Sequence, residues 1–383
     1  MSLPDLFLTH PTPEEVHAQL LGNSSEWRGA LSQEAYLRRE AHMADQDLTR
    51  SGGLTQWILA KRQADGSRQA VSSCETLRKR ALLAVASEGV REVTCYGVAS
   101  VFTLPEFRGK GYASTMFGEL EKWMDDEGRG KAGFSVLYSD IGKQFYAKHG
   151  WRPMESSHVS FRPGYVGSER SGDVRLLKAG DVASLCERDE SIVRGRLERL
   201  ARQGKNVVAI CPDEKTIRWQ LSRESFVSQE ILGKVPDVVG AMTTTASGKG
   251  VWCLWTRWLY NKDPKSAKGN NMHILRLAVD DEEYDDSAAT ERGVQEAKDS
   301  EAADAIARLL SVAQGEATEW YMEDIHIWNP SSATVAAVKK LVPDARVEHR
   351  EKDSIASLRW CDSGLETVGK SLIWTSNEKF AWC

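Results

Sequence analysis

The stretch Val98-Ala99-Ser100-Val101-Phe102-Thr103-Leu104-Pro105-Glu106-Phe107-Arg108-Gly109-Lys110-Gly111-Tyr112-Ala113-Ser114 constrains this chain more than any other. Its first part is apolar, β-branched or aromatic, as a half-buried strand is, and Pro105, which has no amide hydrogen, ends the ladder. Beyond the glycines, Tyr112, Ala113, Met116, Phe117, Leu120, Trp123 and Met124 recur at helical spacing, with Glu119, Glu121 and Lys122 on the other face. The loop from Arg108 to Ala113 therefore opens a helix, where unpaired amides and the positive end of the macrodipole face whatever docks. Gly109 and Gly111 let an anion reach the backbone, and Arg108 and Lys110 add positive charge. The chemistry is that of a diphosphate cradle. It is not a P-loop, because Gly109-Lys110-Gly111 breaks the Gly-x4-Gly-Lys spacing. It is not a dinucleotide fingerprint, because Ser114 stands where a third glycine belongs.

What fits is [Arg/Gln]-x-x-Gly-x-[Gly/Ala], as Arg108-x-x-Gly111-x-Ala113. A second signature follows. Phe134-Ser135-Val136-Leu137-Tyr138 reads as a strand, then Ser139 to His149 carries a short helix, and Gly150 closes it before Trp151. Both signatures, in this order and one helix apart, resemble the GNAT acetyltransferase superfamily, whose tail places a tyrosine four residues before Gly-[Phe/Trp], as Tyr146 stands here. The resemblance implies acetyl-CoA as cofactor. It implies backbone contacts from Val101, Phe102 and Thr103 to the cofactor arm, and phosphate contacts from Arg108, Gly109, Lys110, Gly111, Tyr112, Ala113 and Ser114. Tyr146 would be the donor to the departing thiolate. Ser139 stands where an asparagine that contacts the arm is usual.

The length of 383 residues suits two domains. Pro163 to Ser168 reads as a linker, and beyond it the order strand, strand, helix, strand, helix recurs. Val251 to Tyr260 and Met272 to Val279 form a strand pair, Ala302 to Val312 a helix, Trp320 to Ile327 a strand, and Ser332 to Val338 the start of a helix. The expected fold is thus α+β on mixed sheets: a GNAT catalytic domain over residues 1–168, then a degenerate GNAT-like copy over residues 169–383. Where the copy's cradle should lie stands the acidic run from Asp280 to Asp286, which would repel a diphosphate or lie solvated.

A net charge of −5 gives no general attraction for nucleic acid or membrane. The start of the chain lacks a basic region and a long apolar run, and no segment approaches membrane-spanning length, so a cytoplasmic protein is expected. The seven cysteines have neither zinc nor redox spacing, so no metal is expected. Nothing in the sequence speaks to oligomeric state. Arg78-Lys79-Arg80 reads as a solvated surface or as a contact for the 3′-phosphate of the cofactor.

Amine acetylation needs a proton acceptor, since a lysine-type ammonium has a pKa of about 10.4. The strand before the loop carries no carboxylate, so Glu75 on the neighbouring strand and Asp140 after the next one are the candidates for base or substrate contact. A narrower resemblance, on Leu137-Tyr138-Ser139-Asp140-Ile141-Gly142, Ser73-Cys74-Glu75-Thr76 and Asn377-Glu378-Lys379-Phe380-Ala381-Trp382-Cys383, is to the fungal lysine N6-acetyltransferase family. It implies a small-molecule amine acceptor, L-lysine, in amino-acid catabolism. It also suggests that the final segment reaches the site. A peptide acetyltransferase and a non-catalytic CoA-binding scaffold are the alternatives.

Overall fold

The computed structural model describes residues 5–86, 89–128, 132–164, 173–281, 284–361 and 371–383. Strand β1 (Leu6–Thr9) precedes α1 (Pro13–Trp27), which starts at a reciprocal cap between Thr12 and Glu15 with a proline at its first position. Helix α2 (Gln33–Ala44) is capped by Ser32. Then come β2 (Leu54–Arg62), β3 (Arg68–Val85), β4 (Gly89–Thr103), α3 (Tyr112–Gly128), β5 (Ala132–Ser139), the short α4 (Gln144–Ala147), β6 (Arg152–Pro153) and β7 (Ser157–Phe161). The second half contributes β8 (Arg175–Leu177), α5 (Val182–Arg202), β9 (Asn206–Ile210), α6 (Glu214–Leu232), β10 (Gly240–Thr244), β11 (Gly250–Trp258) and β12 (Asn271–Val279). Helices α7 (Glu291–Ala297) and α8 (Glu301–Glu319), β13 (Asp324–Trp328), α9 (Ser332–Leu341), β14 (Val347–His349), β15 (Ile355–Trp360) and β16 (Leu372–Trp374) complete it.

Among the described residues these strands build two sheets. The first, nine-stranded, runs β1-β2-β3-β4-β5-β15-β6, with β9 pairing both β3 and β16; the second, seven-stranded, runs β14-β7-β13-β12-β11-β10-β8. The expected mixed α+β architecture with a GNAT-like second half is what the chain adopts. In both sheets a long strand is followed by a helix and a parallel neighbour: β4, α3, β5 in the first and β12, α8, β13 in the second. The sheets do not divide at one point along the chain. Strands β9, β15 and β16 of the second half join the first sheet, and β7 of the first half joins the second. The boundary expected at 168/169 lies outside the described residues.

One apolar core is shared by the two sheets. Ala81, Leu83, Cys95, Phe134, Val136 and Leu358 of the first meet Trp252, Leu254, Leu275 and Ala278 of the second, with α5, α6, Phe380 and Ala381 between. Burial at this scale, worth about 25 cal/mol per Å² of apolar surface, is what joins the halves. Ionic groups then fix the register of the helices. From α5, Asp189 takes Arg276 in two bonds of 2.7 Å, Glu190 pairs with Arg80, Arg188 with Asp280, and Arg196 with Asp286. Asp280 and Asp286 of the acidic run are therefore tied to α5, while Asp285 is exposed. Asp281 pairs with Lys249, and Asp286 also accepts from Thr375 and Ser376; Glu282 and Glu283 lie outside the described residues. Arg257, fully buried on β11, is held by Glu224 (2.8 Å) and Glu316 (2.9 Å).

The last segment is docked. Glu378 pairs with Arg276 and accepts the amide of Leu277 (2.8 Å), and Phe380 and Ala381 are wholly buried. Strand β12 pairs with β13 only from Asn271 to Ile274, so Glu378 fills the edge that β12 leaves open beyond the fork. Among the described residues, no helix is long and apolar enough to cross a membrane.

His158, His326 and His273 stack across β7, β13 and β12 with ring centroids 5.6 and 5.3 Å apart. Burial, then neighbouring His158, lowers the His326 pKa to about 4, and burial and Lys379 push His273 well down. Both are neutral when folded, whereas the unfolded chain protonates them near pH 6.5. Stability is therefore complete above that value and falls as the pH drops from about 6.5 towards 4. At pH 5 His326 alone should account for about 2 kcal/mol. Urea unfolding at pH 7 and pH 5 should show this loss, and His326→Gln should flatten the difference.

Candidate active site

The site begins where β4 parts from β5. The two strands pair in parallel from Thr94 to Val98 against Ala132 to Leu137, and beyond Val98 they separate. On its other side β4 stays paired with β3, but the register slips between Ser73–Phe102 and Glu75–Ala99. The extra residues form a bulge in which Ser100 takes φ +52°, an uncommon angle for a side-chain-bearing residue. The edge from Ala99 to Thr103 is thereby open to a ligand's amide groups, where Val101, Phe102 and Thr103 were expected to serve. On the β3 side the hydroxyl of Ser72 donates to the Phe102 carbonyl (3.1 Å) and holds the bulged strand down.

The cradle follows. Gly109 and Gly111 have φ of +74° and +79°, and a Cβ on either would meet no atom within 4 Å, so an anion has room against the backbone. The first helical bond of α3 runs from the Thr115 amide to the Gly111 carbonyl (3.0 Å), which leaves the amides of Gly111, Tyr112, Ala113 and Ser114 at the helix mouth. Arg108 donates Nε to the Thr103 carbonyl (3.0 Å) and lies over Phe102, and Lys110 reaches the Glu106 carbonyl (2.9 Å) above Phe107. Both side chains are anchored to the loop yet remain exposed. This donor set fits the diphosphate of an acyl-CoA, and the open β4 edge fits its amide-bearing arm.

Tyr146 stands at the fork. It packs in the same buried cluster as Cys74, Val98, Tyr112 and Leu137, with its ring 5.1 Å from that of Phe117. Burial and the Asp140 charge push its phenol pKa up, so it stays a proton donor at neutral pH. Glu75 lies across from Ala99, the first residue beyond the fork, and is bonded by Ser100 and by Gln56 (3.3 Å). Burial, then the Glu40 charge, raises its pKa, which makes it a stronger proton acceptor than an ordinary carboxylate.

The other expected residues fall differently. Asp140 is exposed and accepts the Ser354 amide (2.8 Å), fastening the β5 end to the second half. The Ser139 hydroxyl is engaged in its own turn, donating to the Gly142 carbonyl (2.7 Å) and accepting from Ile141 (3.2 Å). Neither reading of Arg78-Lys79-Arg80 describes the middle residue. Lys79 is buried, and its ammonium donates to the carbonyls of Ala381 (2.7 Å) and Trp382 (3.3 Å). The Cys383 sulfur thereby lies 3.8 Å from the Val98 carbonyl, and a Cβ on Gly97 would come within 2.7 Å of it.

Sequence reasoning missed the far wall. Lys379 sits among three indoles, 4.1 Å from the ring of Trp258 and 4.2 Å from those of Trp328 and Trp382. Arg223 of α6 lies 4.3 Å from the Trp258 ring. On α2, Arg39 grips Glu40 through two nitrogens (2.8 and 2.5 Å) and lies over Tyr36. The final segment's family-like string was a signal for Lys379 and Trp382. Arg223 had none, because only tertiary packing brings α6 to the site.

A splayed parallel strand pair, an anion cradle at the next helix and a buried tyrosine at the fork define an acyl-CoA-dependent N-acetyltransferase of the GNAT type, and the Acetyltransferase (GNAT) family model matches residues 52–151. The model described as the LYC1 GNAT-like C-terminal domain matches residues 158–383, more than half of the chain, which belongs to that family. A Yarrowia lipolytica protein named lysine acetyltransferase is 25% identical over 291 residues, 65% of this chain and 71% of that one. An uncharacterized protein of Saccharomyces cerevisiae is 25% identical over 264 residues, 58% of this chain and 64% of its own length. Among solved structures, a GCN5-related N-acetyltransferase from Anabaena variabilis shares the fold at a TM-score of 0.50 and 11% identity, over 93% of this chain and 73% of that one.

Two outcomes test these placements. Gly111→Asp puts a side chain and a negative charge into the cradle, so titration calorimetry should show CoA affinity strongly reduced. Tyr146→Phe should keep CoA affinity and lower kcat by about ten-fold to ten-thousand-fold, the range for a lost general acid. Steady-state kinetics beside the calorimetry separate the two effects.

Proposed function

We propose that this chain transfers the acetyl group of acetyl-CoA to a small-molecule amine, the N6 amine of free L-lysine. The observation that carries the reading is the closure of the acceptor side. Helix α6 packs on α2, with Arg38 paired to Glu230 (2.7 Å) and His42 bonded to Ser222 (2.7 Å). Tyr260 lies against Gly29, where a Cβ would stand 3.4 Å from its ring. Residues 379–383 lie beside the fork itself. A folded protein or a long peptide would have to displace these elements, whereas a free amino acid would not. The name of the Yarrowia relative supports the same acceptor.

Acetyl-CoA supplies the activated acetyl thioester. Around it, the loop from Arg108 to Ser114 would bind phosphate, and the β4 edge from Val101 to Thr103 would align the arm. Glu75 would take the proton of the incoming ammonium, its raised pKa bringing it nearer to working pH. Tyr146 would return a proton to the leaving sulfur. The scaffold alternative is disfavoured, since it would need neither the open cradle nor a protonated tyrosine at the fork.

Purified protein with acetyl-CoA should acetylate free lysine on its side-chain amine. Ornithine, one methylene shorter, should react more slowly, and a lysine-containing peptide more slowly still. Product mapping by mass spectrometry checks this, and faster turnover of the peptide would replace the proposal with the peptide reading.

A further inference from the structure

Among the described residues, the acceptor side holds a guanidinium without a carboxylate partner of its own. The fully buried arginines each have a carboxylate: Arg39 has Glu40, Arg196 has Asp286, Arg257 has Glu224 and Glu316, and Arg276 has Asp189 and Glu378; half-buried Arg350, which has none, donates to the Ser157 carbonyl (2.8 Å). Arg223 is half-buried on α6, and among the described residues it makes neither a hydrogen bond nor an ion pair. Arg39 repels it and Lys379 occupies the same Trp258 indole, while Glu40, which attracts it, is held by Arg39 in two bonds. Burial and the Arg39 charge lower its pKa to about 10. A desolvated cation without a counter-charge is costly, and sites that keep one do so for an anionic ligand.

Its position relative to the chemistry decides which anion. Arg223 rests on Trp258, whose ring lies 4.8 Å from that of Trp382, and the segment carrying Trp382 is held by Lys79 and reaches the Val98 carbonyl where β4 leaves β5, so the unpaired cation lies on the wall beside the fork. Tyr260 lies against Gly29 of the α1–α2 turn, with its ring 5.9 Å from that of Trp258. A molecule with its amine at Glu75 and a carboxylate at its other end would bring that carboxylate to Arg223. The planar guanidinium fork matches a carboxylate in two parallel bonds.

We propose that Arg223 is the anchor for a carboxylate carried by the acceptor amine, with Trp258 as the surface on which the guanidinium rests. The site then selects amino acids over simple diamines. This rests on the free-amino-acid reading above.

The experiment measures kcat/KM for acceptors paired by the presence or absence of the carboxylate: lysine with cadaverine and lysinamide, and ornithine with putrescine. Wild type should favour the carboxylate-bearing member of each pair. In Arg223→Gln that preference should fall by about ten- to hundred-fold, mostly through KM, while CoA affinity by calorimetry is retained and the melting temperature does not fall. Arg223→Lys, a point charge without the fork, should recover part of the preference. If lysine is acetylated but Arg223→Gln slows lysine and cadaverine equally, the anchor is overturned and the lysine reading stands. If ornithine is the better substrate and its preference over putrescine depends on Arg223, the lysine reading fails and the anchor stands. Turnover of peptides alone would overturn both.

Discussion

Two parallel strands stay together because each supplies the other's hydrogen-bonding groups, and β4 can leave β5 only because its backbone is held from the opposite side. The bulge at Ser100 and the Ser72 bond to Phe102 perform that task. Everything at the site follows from this parting. It exposes an edge for an extended ligand, brings Ala99 opposite Glu75, and makes room at the fork for Tyr146. A flat, fully paired sheet with the same side chains would present no such open edge. The αL angle at Ser100 is the local strain that the surrounding pairing sustains.

The second half contributes charge placed in apolar surroundings. Buried ion pairs seldom add net stability over packed apolar groups, but removing one partner is severe, so they specify one arrangement. Arg276 with Asp189 and Glu378, and Arg257 with Glu224 and Glu316, hold α5, α6, α8 and the final segment in a single register. That register brings Lys379, Trp258, Trp382 and Arg223 to the acceptor side.

The sequence was most legible where one local rule governed a segment. The strand, loop and helix from Val98 onward, the Tyr146 helix and the β11–β12 pair follow from periodicity and from Gly and Pro placement. Helix α6 was not read because its buried face carries Gln220, Glu224 and Ser228, which break the apolar period. The strand expected from Trp320 begins at Asp324, since Trp320 caps α8 and Tyr321 takes φ +54°. Lys79 looked like a surface cation, and its partners are carbonyls some three hundred residues away. No local pattern announces such a bond. The crossing of β9, β15 and β16 into the first sheet is likewise a matter of tertiary pairing.

The edge that β12 leaves open is filled by Glu378, which belongs to the chain itself. An occupant on a tether is present at an effective concentration of the order of millimolar or more, and it need not be bound again after each turnover. The carboxylate at the second sheet is continuous with Lys379 and Trp382, so the strap that occupies the open edge of β12 also carries the ammonium and indole that stand beside the parting of β4 and β5. One short segment thereby couples the two sheets at the places where their parallel strands separate.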